Sequence, residues 1–227
     1  NKTVPHALGV NGTPLRVESN GTIDIYGVYD MANVPIILNG GILTNTKKQA
    51  QYEWGGLGNI VLEADSFVDM PVSTVFRSDS KPTNLNGHTL TVRMPENDGS
   101  NSSEVHMYTR TTVYTNGNLR IPGIGVLDIN GNDMWATTAN VDIEATIWRN
   151  GNLNVSNFVS RYTGVYSGGA NSIHVYGSFN APVNQFPPVV MHEGAVFDVS
   201  ARTAETPMPL VSLIGSVSYA ANTTNIV

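Results

Sequence analysis

The chain contains no cysteine, and this absence removes three classes of chemistry at once. A disulfide framework, a thiol nucleophile and a zinc–thiolate site all depend on cysteine side chains. Asn, Thr and Gly are abundant instead, with 22 glycines among 227 residues. This combination favours an exported bacterial surface protein over a eukaryotic secreted domain.

Charged side chains are also scarce, at 13% of the residues, which is about half of the usual share. The net charge is −6, and the twelve Lys and Arg residues are scattered. We therefore expect no nucleic-acid partner, because no basic patch is present to neutralise phosphates. No apolar run approaches the roughly 18 residues that cross a bilayer, so we also expect no membrane insertion.

A short motif that joins an Asn-Gly corner to a strand recurs along the chain. Residues 116–121 read NGNLRI, and residues 150–155 read NGNLNV. Asn and Gly favour a tight corner because both tolerate positive φ at little cost. The apolar–polar alternation that follows predicts a strand with one buried face. Related corners occur at Asn20, Asn39 and Asn86, so the sequence predicts an all-β chain of short strands, with stacked asparagines helping to fix the turns.

Two architectures accommodate short strands at nearly regular spacing. An antiparallel β-sandwich or jelly roll requires paired hairpins, whereas a parallel β-helix is a one-way coil whose rungs stack about 4.8 Å apart. Recurrence of the corner motif at the same phase of each strand favours the coil, because stacking places like residues above like. We predict a single-stranded parallel β-helix (β-solenoid) forming one domain over residues 1–227, and we expect this chain to be a fragment of a longer exported protein. The sandwich or jelly roll is the alternative.

Two stretches resemble the rungs of a known class of proteins. Residues 58–65 (GNIVLEAD) and 84–92 (NLNGHTLTV) are similar to rungs of bacterial autotransporter-like passenger domains and of other pectate-lyase-like β-helices. The resemblance implies that the coil is right-handed. It also implies a cell-surface or secreted protein, of which many are adhesins, and hence a glycan or host-surface ligand.

Carboxylate pairs are the candidate catalytic residues, because many enzymes of the resembling class cleave polysaccharides. Inverting glycosidases hold two carboxylates about 6.5–9.5 Å apart, and alternate residues of one strand lie about 7 Å apart on one face. Glu63 with Asp65, and Asp142 with Glu144, meet this spacing in the sequence. The competing interpretation is that these side chains form the solvent face of amphipathic strands.

The sequence departs from the pattern of polygalacturonase-like enzymes. It has Gly87-His88 without the second glycine of their Gly-His-Gly motif, and it lacks their other three motifs. We therefore predict a non-catalytic module with a structural and adhesive role. The alternative is a polysaccharide lyase or glycoside hydrolase that uses the paired carboxylates, and a third hypothesis is an oligomeric fibre module. The oligomeric state stays open.

Three tryptophans, Trp54, Trp135 and Trp148, are the candidate binding residues. Exposed aromatic rings stack well on the apolar faces of sugar rings, although interior packing of the same rings is the competing interpretation. The five histidines show no metal-ligand spacing, so we predict no metal site and no cofactor. His174 alternates with apolar residues and is predicted to face outward.

Overall fold

The computed structural model describes twelve segments of the chain, namely 13–24, 34–44, 59–69, 82–93, 104–106, 111–122, 126–143, 147–160, 172–180, 188–198, 211–213 and 218–220. These segments contain eighteen β-strands and no helix, and hence no helix that could cross a membrane. The strands are β1 (Leu15–Glu18), β2 (Thr22–Asp24), β3 (Ile36–Asn39), β4 (Ile42–Thr44), β5 (Ile60–Ala64), β6 (Ser66–Asp69), β7 (Thr83–Asn84), β8 (Thr89–Arg93), β9 (Glu104–His106), β10 (Thr111–Thr115), β11 (Gly117–Ile121), β12 (Val126–Ile143), β13 (Ile147–Ser160), β14 (Ile173–Asn180), β15 (Val189–Met191), β16 (Val196–Asp198), β17 (Val211–Leu213) and β18 (Ser218–Ala220).

The strands pair in parallel with the strand one coil later, which produces long ladders. Ladder A runs through β1, β3, β5, β7 and β10, then through the middle of β12 and β13, the start of β14, β15 and β17. Ladder B runs through β2, β4, β6, β8 and β11, then through the ends of β12, β13 and β14, and on to β16 and β18. Ladder C joins β9 to the starts of β12 and β13.

This arrangement is a parallel β-solenoid and confirms the predicted β-helix. The sandwich alternative is excluded for the described strands, because every ladder pairing between them is parallel and a sandwich requires antiparallel hairpins. A parallel connection in one sheet is right-handed in nearly all proteins, which agrees with the handedness that the resemblance implies. The described strands thus form the all-β parallel β-helix that the sequence predicts.

Corners between ladder A and ladder B use asparagine and glycine as expected. Asn20, Asn86 and Asn116 adopt φ of 66°, 50° and 56°, in the left-handed region that asparagine tolerates better than most residues. Gly117 serves a different need, because a Cβ at this position would lie 2.5 Å from the backbone oxygen of His88 in the corner one coil earlier. The corners therefore stack too closely for a side chain at that point.

The two nearly identical hexapeptides do not occupy the same phase of the coil. Gly117–Ile121 belongs to ladder B, where it pairs with residues 139–143. Residues 151–155 instead pair with residues 132–136 in ladder A. The prediction that the motif recurs at one phase is therefore wrong for this pair, because Asn-Gly suits any bend of the coil and does not specify which bend.

The Asn-Gly pairs of the long strands are bends within a strand. Asn130 lies inside β12, at a register shift between Asp128 and Asn132, and Asn150 lies inside β13 beside this irregularity. The strands β12 and β13 therefore each run from ladder C into ladder A without interruption. The predicted corner is present here as a local shift in register.

The core consists of side chains stacked from coil to coil inside the solenoid. Its larger fully buried members are Ile36, Leu38, Leu43, Ile60, Leu62, Tyr114, Phe158, Phe179 and Phe197. Each buried aliphatic or aromatic side chain contributes roughly 1.5–3 kcal/mol relative to exposure. Inside ladder B the rings of Phe158, Phe179 and Phe197 stack in a row, with 5.5 Å between successive centroids. Because successive side chains of a strand point to opposite faces, the residues between these buried positions face outward from ladder B.

Candidate functional site

The outer face of ladder B carries a shallow groove of about 630 Å³ that crosses five successive strands, from β6 to β13. Its outward positions alternate with the buried positions of the core, as the period of two requires. The polar side chains of the lining are Asp65, Thr89, Thr91, Asn118, Arg120, Asn140, Asp142 and Asn157, and the apolar ones on the outer face are Phe67 and Val159. We call this surface the ladder B groove.

A row of side-chain amides forms one wall of the groove. Asn140 Nδ2 donates to Asn118 Oδ1 at 2.8 Å, and Asn157 Nδ2 donates to Asn140 Oδ1 at 2.6 Å. Ser178 closes the row, because both its backbone N–H and its hydroxyl donate to Asn157 Oδ1 at 2.9 Å. We call these four residues the amide row.

The amide row retains hydrogen-bonding capacity for a ligand. An asparagine side chain has two N–H donors and an oxygen with two lone pairs. Each bond along the row uses one N–H of Asn140 or Asn157 and one lone pair of the preceding amide. Because Ser178 uses both lone pairs of Asn157, the row presents donors from Asn140 and Asn157 and acceptors from Asn118 and Asn140. They recur at about 4.8 Å, the spacing between adjacent strands.

Charged groups in the groove are few and of mixed sign. Arg120 and Asp142 are neighbours in register on β11 and β12, and both line the groove. Asp65 lies at the corner between β5 and β6, where its Oδ1 accepts the backbone N–H of Thr89 at 2.7 Å. One arginine and two aspartates give the groove a formal charge of −1, which makes it poorly suited to a densely anionic ligand.

The two groove carboxylates are too far apart to act on one glycosidic bond. Asp65 adjoins β6 and Asp142 lies on β12, with β8 and β11 between them. Three strand spacings separate their backbone positions by roughly 14 Å. Retaining enzymes hold their carboxylates about 5–5.5 Å apart and inverting ones about 6.5–9.5 Å apart, so these two positions match neither geometry.

The candidate pair Glu63 and Asp65 is divided between a strand and a corner. Glu63 lies on β5 in ladder A, where its carboxylate accepts a hydrogen bond from Arg16 Nη2 at 2.6 Å. This hydrogen bond from Arg16 lowers the pKa of Glu63 below its ordinary value. A carboxyl with a lowered pKa is a poor general acid. Glu144, the candidate partner of Asp142, lies outside the described residues.

Among the candidate tryptophans, only Trp135 has a described side chain, and it does not line the groove. Trp135 is half-buried on the ladder A part of β12, where it pairs in register with Asn154. Trp148 lies on the ladder C part of β13, in register with Leu127. Trp54 lies outside the described residues. Their proposed role in binding stays a prediction.

The aromatic residue that does line the groove is one that sequence reasoning missed. Phe67 projects outward from β6, and the guanidinium carbon of Arg93 lies 4.3 Å from its ring centroid. Asp69 accepts a hydrogen bond from Nη2 of the same guanidinium at 2.8 Å. A cation over the ring contributes about 0.5–1 kcal/mol at an exposed site. The ring face beneath Arg93 is therefore already occupied.

The sequence contained a partial signal for the amide row. Stacked asparagines were expected at the turns, yet Asn118 stands two residues after the corner at Asn116, and Asn140 and Asn157 each stand one residue before a buried apolar residue of ladder B. This position before the inward Val141 or Phe158 identifies an outward asparagine. It does not reveal that the three amides align.

The described part of the chain contains no set of side chains suited to binding a metal ion. No group of three or more His, Asp or Glu side chains there is arranged to hold a metal ion. The absence of a metal site and of a cofactor stays a prediction.

The described residues define a class of architecture: an all-β parallel solenoid with a polar groove on the outer face of one ladder. Comparisons with protein-family models, with curated proteins and with solved structures find no match to this chain.

Proposed function

We propose that this chain is a non-catalytic structural and adhesive module of a bacterial cell-surface or secreted protein, and that its ladder B groove binds an extended glycan. The amide row is the observation that carries the proposal. It offers a continuous line of donors and acceptors across several coils, with Thr89 and Thr91 beside it. Such a line suits the hydroxyl groups of a polysaccharide laid along the solenoid axis.

An extended peptide fits the same surface less well. A strand advances 3.2–3.4 Å per residue, whereas the amide row repeats at about 4.8 Å, so successive peptide groups fall out of step with it. The strand edges that could pair with a peptide backbone are already used by the neighbouring coils throughout the groove. These features support a glycan as the ligand.

The formal charge of −1 also supports a neutral polymer over a polyuronate. Asp65 and Asp142 would repel a uronate chain, and Arg120 alone does not compensate both. We therefore expect neutral polysaccharides to bind more tightly than acidic ones, with a difference that shrinks as salt is added.

A carbohydrate-active enzyme is the alternative function. It requires two carboxyl groups that act on one bond, and the described carboxylates of the groove are separated by three strand spacings. Their separation supports the non-catalytic proposal. The alternative predicts that the protein releases reducing or unsaturated ends from a polysaccharide and that Asp142→Asn abolishes this release.

The test is a panel of neutral and acidic polysaccharides in affinity electrophoresis with the 227-residue chain, with parallel assays for released ends. Retention by a neutral polymer without release supports the proposal. Release from any polymer that is lost in Asp142→Asn or Glu63→Gln overturns the non-catalytic part, and absence of retention by every polymer overturns the binding part.

A matched pair of threonine variants locates the binding site. Thr91→Val removes one hydroxyl from the groove without touching the amide row, whereas Thr115→Val makes the same change on the outer face of ladder A. One hydrogen bond contributes about 0.5–1.5 kcal/mol, so we expect Thr91→Val to weaken retention about three- to tenfold. Equal retention by both variants would place the ligand elsewhere.

A further inference from the structure

Two histidines meet outside the groove, on the outer face of ladder A. His174 projects from β14 between the buried residues Ile173 and Val175, facing outward as predicted. His192 lies at the corner after β15, and its backbone N–H donates to the oxygen of Val175 at 2.9 Å. The backbone of His192 therefore ties the corner after β15 to β14, one coil earlier.

The two imidazoles point directly at each other. His174 Nδ1 lies 3.0 Å from His192 Nε2, while the ring centroids are 5.3 Å apart. A centroid separation that exceeds the nitrogen separation by this amount places both nitrogens on the line between the rings. The contact is thus a single N–H···N hydrogen bond, in which one nitrogen donates and the other must lack a proton.

A series of side-chain hydrogen bonds connects the histidine pair to a carboxylate. His174 Nε2 lies 2.9 Å from Ser172 Oγ, and that hydroxyl donates to Asn152 Oδ1 at 2.9 Å. Asn152 Nδ2 donates in turn to Asp133 Oδ1 at 3.0 Å. Because the Ser172 hydroxyl donates to the amide, its oxygen accepts a hydrogen bond from His174 Nε2–H, so each of these bonds joins one donor to one acceptor.

This series of hydrogen bonds accommodates one positive charge on the histidine pair and excludes a second. When the histidine pair carries one extra proton, it donates through His174 Nε2 to Ser172 and keeps the N–H···N bond to His192. When both imidazoles are charged, two N–H donors confront each other and the bond is lost. The like charges then repel across 3.0 Å.

The surroundings act on the pair in opposite directions. Burial lowers the pKa of His174 below its ordinary value, the charge of His192 lowers it further, and the Asp133 carboxylate partly offsets both. The remaining titratable side chains described around the pair are Tyr176, whose ring stacks on His192 at 4.1 Å, and the exposed Glu193. Of the described side chains of β13, Asn152 is joined to the pair through Ser172 and Asn154 lies in register with His174, and both are uncharged amides.

We propose that His174 and His192 form a pH-sensitive contact that holds the corner after β15 against β14 and opens when both imidazoles are protonated. The element that responds is the turn of residues 192–195, which is closed by the Ala195 N–H to His192 oxygen bond at 3.0 Å. Opening exposes the imidazoles and Tyr176, which is already 40% exposed. The proposal is independent of glycan binding in the ladder B groove.

The sign of the pH dependence follows from the lowered pKa of His174. The open form, with an ordinary histidine pKa near 6.5, binds more protons than the closed form below that pH. The contact is therefore fully present above about pH 6.5 and weakens as the pH falls toward the lowered pKa. One additional proton taken up on opening changes the opening constant by up to about tenfold per pH unit.

The first test uses the unaltered protein. Nuclear magnetic resonance titration of the His174 ring protons should give a midpoint below the ordinary histidine range. Hydrogen exchange at the His192 amide, corrected for the intrinsic effect of pH, should rise by up to about tenfold per pH unit below pH 6.5. The Ile42 amide, bonded to Gly21 at 2.9 Å far from the pair, serves as the internal control.

Single variants distinguish the effect of the His192 charge on the His174 pKa from the effect of burial. His192→Gln leaves His174 buried but removes the second charge, so we expect the His174 pKa to rise toward its ordinary value and the pH dependence at the corner to flatten. His88→Gln, at the corner before β8, is the matched control and should change neither readout. An unchanged His174 titration in His192→Gln would assign the shift to burial alone and overturn the proposal, as would a His174 midpoint within the ordinary histidine range in the unaltered protein.

Discussion

Asn140 donates a hydrogen bond from Nδ2 to Asn118 Oδ1 at 2.8 Å, across 22 residues of chain. The same side chain accepts from Asn157, which follows it by only 17 residues. The amide row therefore aligns although successive coils differ in length. Alignment depends on the parallel register of ladder B, in which Asn118 pairs with Asn140 and Asn140 pairs with Asn157.

Replacing Asn140 with alanine should destabilise the solenoid modestly. The change removes two side-chain hydrogen bonds, each of which contributes about 0.5–1.5 kcal/mol. Because Asn140 is exposed, we expect a total loss near the lower end, about 1 kcal/mol, measured by denaturant unfolding. Asn59→Ala, an exposed site outside the groove, should stay within about 0.5 kcal/mol of the parent. A null result at Asn140 would mean that water replaces the row at no cost.

Replacing Tyr114 with phenylalanine should leave the protein as stable as before or stabilise it. Tyr114 is fully buried, and its hydroxyl has no hydrogen-bond partner among the described residues. Burial also raises the pKa of this hydroxyl above its ordinary value. An unsatisfied buried polar group costs about 1–3 kcal/mol, so its removal should raise the melting temperature by a few degrees.

Tyr114→Leu provides the comparison for this position. It removes the ring together with the hydroxyl, and the resulting cavity should lower the free energy of unfolding by about 2–4 kcal/mol. A loss in Tyr114→Phe that approaches the loss in Tyr114→Leu would show that the hydroxyl makes a bond of its own. The measurement is the thermal midpoint of each variant under identical conditions.

The aromatic row inside ladder B should act as a coupled unit. Phe179 stacks between Phe158 and Phe197, with centroids 5.5 Å away on each side. Aromatic pairs contribute about 0.5–1.5 kcal/mol beyond the area that they bury. We expect a double-mutant cycle of Phe158→Leu and Phe179→Leu to give a coupling energy in this range, while Phe158→Leu and Phe197→Leu, which are not in contact, should be additive.

Replacing Gly117 with alanine should destabilise the protein, although the change adds only one methyl group. Its Cβ would lie 2.5 Å from both the His88 oxygen and the Leu85 Cβ, so two coils must move apart. Overpacking of this kind costs about 1–3 kcal/mol. Gly87, which has φ of 83° and nothing within 4 Å of a Cβ, provides the control: Gly87→Asn should be tolerated, because asparagine accepts positive φ.

Much of the solenoid was predictable from local patterns. Apolar–polar alternation correctly placed Leu119 and Val141 inside and Asn118 and Asp142 on the outer face, since a strand turns each successive side chain to the opposite side. Asparagine before glycine marked the corner at Asn116 because few other residues adopt its φ of 56°.

The candidate site was less predictable, because spacing within a strand does not determine which strands become neighbours. Asp65 and Asp142 were assigned to different pairs, yet both line one groove. Glu63 and Asp65 were assigned to one face, but the chain turns its corner between them. The contact between His174 and His192 carries no sequence signal at all, since neither residue lies at a recognised ligand spacing.

The amino-acid sequence by itself therefore determined the strands, their inward and outward faces and the residues that permit corners. These are properties of φ and ψ preferences and of the period of two, and they act over a few residues. Tertiary structure alone decided the register between coils. The loops differ in length, so only the packing of the core from one coil to the next selects which residues stand side by side. That packing aligned Asn118 with Asn140, placed the two similar hexapeptides in different ladders and brought His174 against His192.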